Sequence, residues 1–261
     1  MCRSFAAFGV LGWASLMSVV DILAIVRDAQ FSALVRKELT MKKIDDGFAP
    51  ELVWCADFDG VWEIPVIHKE RLFLQPFLMR PFSRRGATAM PDEYICFYEH
   101  DKKFASLLEN AGEYLDSIRK FAGIVSPDCS LYRDMPLVLQ VMNTYLNRAV
   151  GHFFQFNGMT VIPNLRWGDE RSYRGVPGRI EPFAFKGVER GSVVSVGTYG
   201  CITGDENRFY FHDGLGEMLN VVGPEKVLVY GRMPAEIFGD FAEHVEFVRY
   251  EDWTTIRKGG R

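Results

Sequence analysis

Ser192-Val193-Val194-Ser195-Val196-Gly197, Lys226-Val227-Leu228-Val229-Tyr230 and Val245-Glu246-Phe247-Val248 are three short runs of β-branched and aromatic residues, each read as a strand. Between them, Asp205–Val222 and Pro234–Glu243 carry helical patterning. Strands alternating with helices imply crossover connections and parallel pairing. The unbroken apolar run Val227-Leu228-Val229-Tyr230 suits a strand covered on both faces.

Working outward, the same signals recur upstream. Glu63–Ile67, Leu72–Phe77, Tyr94–Tyr98, Gly123–Ser126 and Thr160–Leu165 bring the candidate strands to eight, and Asp101–Phe121 and Met135–Asn157 are candidate helices. In the second of these, Leu137, Val138, Val141, Met142, Tyr145, Leu146, Ala149, Val150, Phe153 and Phe154 make a broad apolar stripe. Gln140, Asn143, Asn147 and Arg148 lie off it, so the stripe is expected to face the core. Asp134, a possible Thr203/Glu206 capping box and Pro234 mark helix starts. The first two strands lack an intervening helix. An irregular TIM-like barrel of mostly parallel strands is therefore expected, with an open doubly wound parallel sheet as the alternative.

Of 261 residues, 48% are hydrophobic and 25% charged, ordinary globular usage that speaks against disordered, collagenous and multi-span membrane classes. Thirty basic and 34 acidic side chains leave a net charge of −4, unlike a protein coated in cations for non-specific nucleic-acid binding. The five cysteines form no CxxC pair and the five histidines no HExxH or HxH pattern, so a reducing compartment fits and a histidine-built metal site is disfavoured. Neither GxGxxG nor GxxxxGK[ST] occurs.

Phe5–Val26 is almost wholly apolar, interrupted by Asp21, and runs on into a mixed-charge segment before Met41-Lys42-Lys43. Residues 1–40 are read as an extension outside the fold, with 41–261 forming one α/β domain in the cytoplasm. The alternative is membrane association through residues 5–26. Without residues 1–40 the chain keeps 26 basic and 31 acidic residues, so its acidic balance survives.

In either architecture, ligands bind where loops leave the carboxyl ends of parallel strands. The loops so selected are Ser126-Pro127-Asp128-Cys129-Ser130-Leu131-Tyr132-Arg133-Asp134-Met135-Pro136 and Val161-Ile162-Pro163-Asn164-Leu165-Arg166-Trp167-Gly168-Asp169-Glu170-Arg171-Ser172-Tyr173, with Glu99-His100-Asp101, Thr198-Tyr199-Gly200-Cys201 and Gly231-Arg232 beside them. The first two, together with Val229-Tyr230-Gly231-Arg232-Met233-Pro234, resemble the DUF4417 family, over about residues 41–253. That resemblance implies a mobile-element or prophage setting and no defined reaction. Where the family pattern has Phe in the first motif this chain has Cys129, which weighs against chemistry at that position.

Read from the residues, Asp128 follows one strand, and Asp169 and Glu170 follow the next. Carboxylates from neighbouring strands can share a proton, hold a divalent metal such as Mg²⁺, or act as acid and base. Trp167, Tyr173, Tyr132 and Tyr199 are candidate walls for a planar base or sugar, with Arg166 and Arg171 meeting phosphate. Residues 166–190 carry six basic and four acidic side chains, reversing the global sign, and Arg80–Arg85 is a second basic loop. The plainer reading has Asp128 in a turn, Asp134 capping a helix, and Asp169 or Glu170 paired with Arg166 or Arg171. Cys129 and Cys201, without a placed histidine base, read as small core residues. Two functions follow: an enzyme acting on a phosphate-bearing ligand, nucleotide or nucleic acid, and a non-catalytic module binding nucleic acid or a host protein.

Overall fold

The computed structural model describes residues 49–70, 74–90 and 92–259. The expected extension over 1–40, the domain start at Met41 and the candidate anchor at 5–26 lie outside them. Among the described residues no helix is long and apolar enough to cross a membrane.

A small antiparallel hairpin, β1 (Phe58–Asp59) with β2 (Ile64–Pro65), precedes two parallel sheets. The first sheet runs β3 (Leu78–Pro81), β4 (Glu93–Cys96), β5 (Gly123–Val125) and β6 (Thr160–Ile162). The second runs β7 (Val193–Gly197), β8 (Lys226–Tyr230) and β9 (Glu246–Tyr250). Within both, spatial order follows chain order. A single parallel bridge, Asn164 to Ser195, joins them just beyond the end of β6. Among the described residues no ladder joins β9 to β3.

Period-two alternation sorts the strand side chains. Ile95, Ile124 and Val161 join Phe97, Phe104, Val150 and Phe154 in one cluster, and Val194, Val196, Val227 and Val229 join Phe211, Leu215 and Met218 in a second. On the opposite faces Met79, Tyr94, Cys96, Val125, Ile162, Leu228, Tyr230 and Tyr250 make a third cluster, drawn from both sheets.

The helices are α1 (Ala105–Glu109), α2 (Leu115–Ile118), α3 (Leu137–Phe156), α4 (Glu170–Tyr173), α5 (Asp205–Val222), α6 (Ala235–Phe238) and α7 (Trp253–Gly259). The expected helix 101–121 is broken into short α and 3-10 turns around Asn110, whose φ of −143° is not helical. Of the second strand expected over 72–77, residues 72 and 73 lie outside the described residues; 74–77, which include Pro76, carry no strand, and the strand here is Leu78–Pro81. At the start of α5 the residue in the capping position is Gly204, with no side-chain cap, so Thr203 and Glu206 form no capping box. Pro136, not Asp134, precedes α3.

The largest departure from the sequence reading is the orientation of α3. Gln140, Thr144, Asn147 and Arg148 are buried in its first three turns, whereas Val138 is 72% exposed and Leu139 and Met142 also face solvent. From Tyr145 onward the expected apolar face meets the core, with Tyr145 and Leu146 half-buried against it and Ala149, Val150, Phe153 and Phe154 within it. The first half lies over loops at the carboxyl ends of β5 and β6, where carbonyls and amides need partners, so the polar face turns inward.

Candidate functional site

Tyr98 stands at the centre of the carboxyl-terminal end of the sheets. Its ring stacks on Tyr230 from β8, with centroids 4.7 Å apart. The close approach depends on Gly197: a Cβ there would fall 2.4 Å from the Tyr98 ring. The Tyr98 hydroxyl donates to Asn164 Oδ1 at 3.0 Å and lies 2.6 Å from Ser195 Oγ, tying β4 to the place where the two sheets meet. Burial pushes its ionisation well above the usual phenol range.

Asn164 Nδ2 in turn donates to Asp128 Oδ1 at 2.9 Å, while Arg166 Nη1 donates to Asp128 Oδ2 at 3.0 Å. Asp128 is nearly buried, and burial raises its pKa; Arg166 and the Asn164 hydrogen bond pull it back in part. The partly buried Arg166 guanidinium is held charged by Asp128. Behind them, Ser126 Oγ donates to Asn147 Oδ1, and Asn147 Nδ2 donates to Pro127 O and Asn164 O. Arg148 reaches four oxygens: Asn147 Oδ1 and the carbonyls of Asn164, Ala184 and Lys186. Each of these polar groups is satisfied, so the carboxylate is aimed by a rigid surround.

The titration of Asp128 is directly testable. In the window between its unfolded value and its raised folded value the native state holds the extra proton, so ionisation of Asp128 opposes folding as pH rises through the folded pKa. Carbon-13 NMR of the carboxyl should give a midpoint above 3.8, and Arg166→Met should move it higher still. A midpoint at or below 3.8 would mean that the cation outweighs burial.

Asp169 lies in the loop after β6 but does not share the recess that Asp128 lines. It caps α4 by accepting from Arg171 N, and its two oxygens take Arg171 Nε and Nη2 at 2.7 to 3.0 Å. Glu170 is exposed in the first turn of α4. Trp167 is packed against Phe185 and Phe211 and donates to Tyr210 O, and the Tyr173 hydroxyl donates to Asp213. One concavity shared by Asp128, Asp169, Trp167 and Tyr173 therefore does not form. Asp169 is tied to its own helix through Arg171, and Tyr173 to α5 through Asp213. Burial raises the thiol pKa values of Cys129 and Cys201, leaving them protonated and poorly nucleophilic at neutral pH. Among the described residues no three of His, Cys, Asp and Glu gather as metal ligands.

A larger concavity of about 690 Å³ opens beside Tyr98, lined by Arg84 after β3, His100 after β4, Tyr199 after β7, and Trp253, Arg257 and Lys258 of α7. Its acids are occupied. Glu99 accepts from Ser83 N and Oγ and pairs with Lys103, and Asp252 accepts from Thr254 N and Thr255 N. Among the described residues, the Arg84, Arg257 and Lys258 side chains have no hydrogen-bond or ion-pair partner. The recess holding Asp128, Arg166 and Tyr132 adjoins this mouth and shares Tyr98, His100 and Tyr199 with it. Of the arginines in the basic loop 80–85, Arg80 is buried against Glu93, Arg85 lies over the Phe82 ring, and Arg84 lines the mouth.

Sequence reasoning missed Tyr98, Asn164, Asn147, Arg148 and α7. The α7 signal was present: Asp252 followed by Thr254-Thr255 is a helix cap, with basic residues in the last turn.

No solved structure matches this chain. It is 27% identical to the Gene 1 protein of Mycobacterium phage L5 over 162 residues, covering 62% of this chain and 66% of that protein. To the Gene 1 protein of Mycobacterium phage D29 it is 28% identical over 149 residues, 57% of this chain and 52% of that one. The matched region thus spans about two thirds and one half of these relatives. Residues 56–251, which hold every strand of both parallel sheets, match the family described as Domain of unknown function (DUF4417). With most of its length inside that match, the chain belongs to the DUF4417 family.

Proposed function

We propose that this phage-type protein binds a phosphate-bearing ligand, a nucleotide or nucleic acid, in the mouth beside Tyr98, with Asp128 as its acid/base group. The observation that carries the reading is a concavity of about 690 Å³ whose local acids are engaged while Arg84, Arg257 and Lys258 have no partner among the described residues. Unpaired cations around an aromatic-walled hollow suit phosphate joined to a planar ring. Tyr199 supplies the ring face, Arg166 and Tyr132 line the adjoining recess, and Asp128, kept partly protonatable by burial, gives or takes the proton.

The fold supports this placement if the seven parallel strands β3–β9 wrap into an irregular barrel, incompletely paired, with the mouth at its carboxyl-terminal end. Three observations favour that closure: unreversed strand order, the Asn164–Ser195 bridge, and an interior cluster drawn from both sheets. The Tyr250 hydroxyl also donates to Pro76 O at 2.7 Å, linking the last strand to the entry of the first. Free cysteines at positions 55, 96, 129 and 201 fit a cytoplasmic protein.

A non-catalytic module binding nucleic acid or a host protein is the second reading. It is favoured by the pairing of Asp169 with Arg171, which leaves Asp128 without an acidic partner from the loop after β6.

Calorimetric titration with ATP and pyrophosphate separates the readings from each other and from neither. Arg84→Glu and Lys258→Glu should each weaken binding about tenfold or more, as loss of a charge-assisted contact implies. Asp128→Asn should retain binding and abolish turnover of the bound ligand. Binding without turnover in the wild-type protein would select the module, and absence of binding would refute the phosphate reading.

A further inference from the structure

We infer that the mouth takes a single-stranded nucleic-acid segment of several nucleotides, not a free mononucleotide, an inference that rests on the phosphate reading above. Three hollows follow one another along the rim. The large one of about 690 Å³ shares Tyr98, Glu99, His100 and Tyr199 with the Asp128 recess of about 150 Å³, Glu99 being held by Ser83 and Lys103. That recess shares Tyr132, Arg166 and Gly200 with a third hollow of about 140 Å³, which Arg133 and Tyr210 also line.

The two junctions are marked by aromatic rings. Tyr199, 66% exposed, stands between the first and second hollows, and Tyr132, 53% exposed, stands between the second and third. Exposed tyrosines of this kind present a ring face suited to stacking on flat bases. A nucleotide fits a hollow of several hundred Å³, whereas the two smaller ones have room for little more than one ring each. The track therefore matches a ligand that repeats a ring at intervals and carries charge along one side. Its cations stand at the open end, with Arg84, Arg257 and Lys258 around the first hollow.

The strand type follows from charge and shape. A duplex needs a broad basic face to replace its condensed counterions, and this chain is acidic overall, at −4. A concave, aromatic-lined channel with a few local cations is the arrangement used for unpaired strands, whose bases are free to stack on protein rings. Arg166, at the second junction and beside Asp128, places the proposed acid/base group along the path of the strand.

Fluorescence anisotropy on the full 261-residue chain tests this with labelled oligothymidylates of two, four and eight nucleotides, a labelled hairpin duplex, and thymidine monophosphate and polyglutamate as competitors. Affinity should rise from two to about four nucleotides and then level off, and the duplex should bind at least tenfold more weakly. Tyr199→Ala and Tyr132→Ala should each lower affinity for the longer strands roughly five- to a hundredfold. Both rings are exposed, and unchanged circular dichroism would show the fold intact. If the monophosphate competes as well as the eight-mer and Tyr132→Ala has no effect, the strand track is refuted while the phosphate reading stands. Competition by polyglutamate equal to that of the eight-mer also refutes it, by reducing the site to a general anion binder. If no oligonucleotide, nucleotide or pyrophosphate binds and Arg84→Glu changes nothing, both readings fail together.

Discussion

Replacing Arg148 with methionine should cost the fold about 3–5 kcal/mol and lower its melting temperature by roughly 6–20 °C. Arg148 is 1% exposed, in the middle of α3, and among the described residues no carboxylate forms an ion pair with it. Burial pulls its pKa down to about 9, so it remains charged at neutral pH. Its fork donates to neutral oxygens, among them the carbonyls of Asn164, Ala184 and Lys186, which hold the 164–186 segment against α3. Methionine matches the stem and removes every donor, taking from the Ala184 and Lys186 carbonyls their Arg148 partner and leaving Asn164 O with Asn147 Nδ2. Lysine should fare little better, because one ammonium cannot span acceptors arranged for a planar guanidinium. A thermal scan in which Arg148→Met melts within 2 °C of the parent would show that water or a relaxed loop replaces these bonds.

Arg166→Met should be the second large loss, about 3–5 kcal/mol by denaturant titration, since it strands the buried Asp128 carboxylate beside a single amide donor. Adding Asp128→Leu to Arg166→Met should recover part of that loss, because the stranded charge goes with it. The double variant is then more stable than Arg166→Met alone, a sign opposite to simple additivity. If the two effects merely add, Asp128 and Arg166 are energetically independent despite their 3.0 Å contact. The same cycle bears on function. A pair kept for structure alone can be replaced by apolar residues with little penalty, whereas a pair kept for chemistry loses activity in every variant that lacks Asp128.

Elements with a clear local period or an unbroken apolar run were legible in the sequence. Val227–Tyr230 reads as a covered strand and is buried throughout β8; Asp205–Val222 has the same limits as α5. Parallel pairing followed from the alternation of strands and helices, because crossovers leave little other choice. Asp128 was also accessible, being a carboxylate placed directly after a strand. Asp169 was not separable from it, since both follow strands and only the rotation of the next residues decides whether an acid caps its own helix or faces a recess.

Tertiary structure decided the rest. An apolar stripe predicts a core-facing side only where the core is apolar, and the first half of α3 rests on loop carbonyls, so Val138 faces water and Arg148 is buried. Tyr98 reads as one more strand aromatic until Gly197, Tyr230 and Asn164 converge on it from three other segments. Local periodicity determines which segments are strands and helices, because each residue's backbone preference and its spacing to near neighbours are written in the chain. Which polar atoms meet is a property of segments far apart in sequence, set by the need to satisfy every buried donor and acceptor at once.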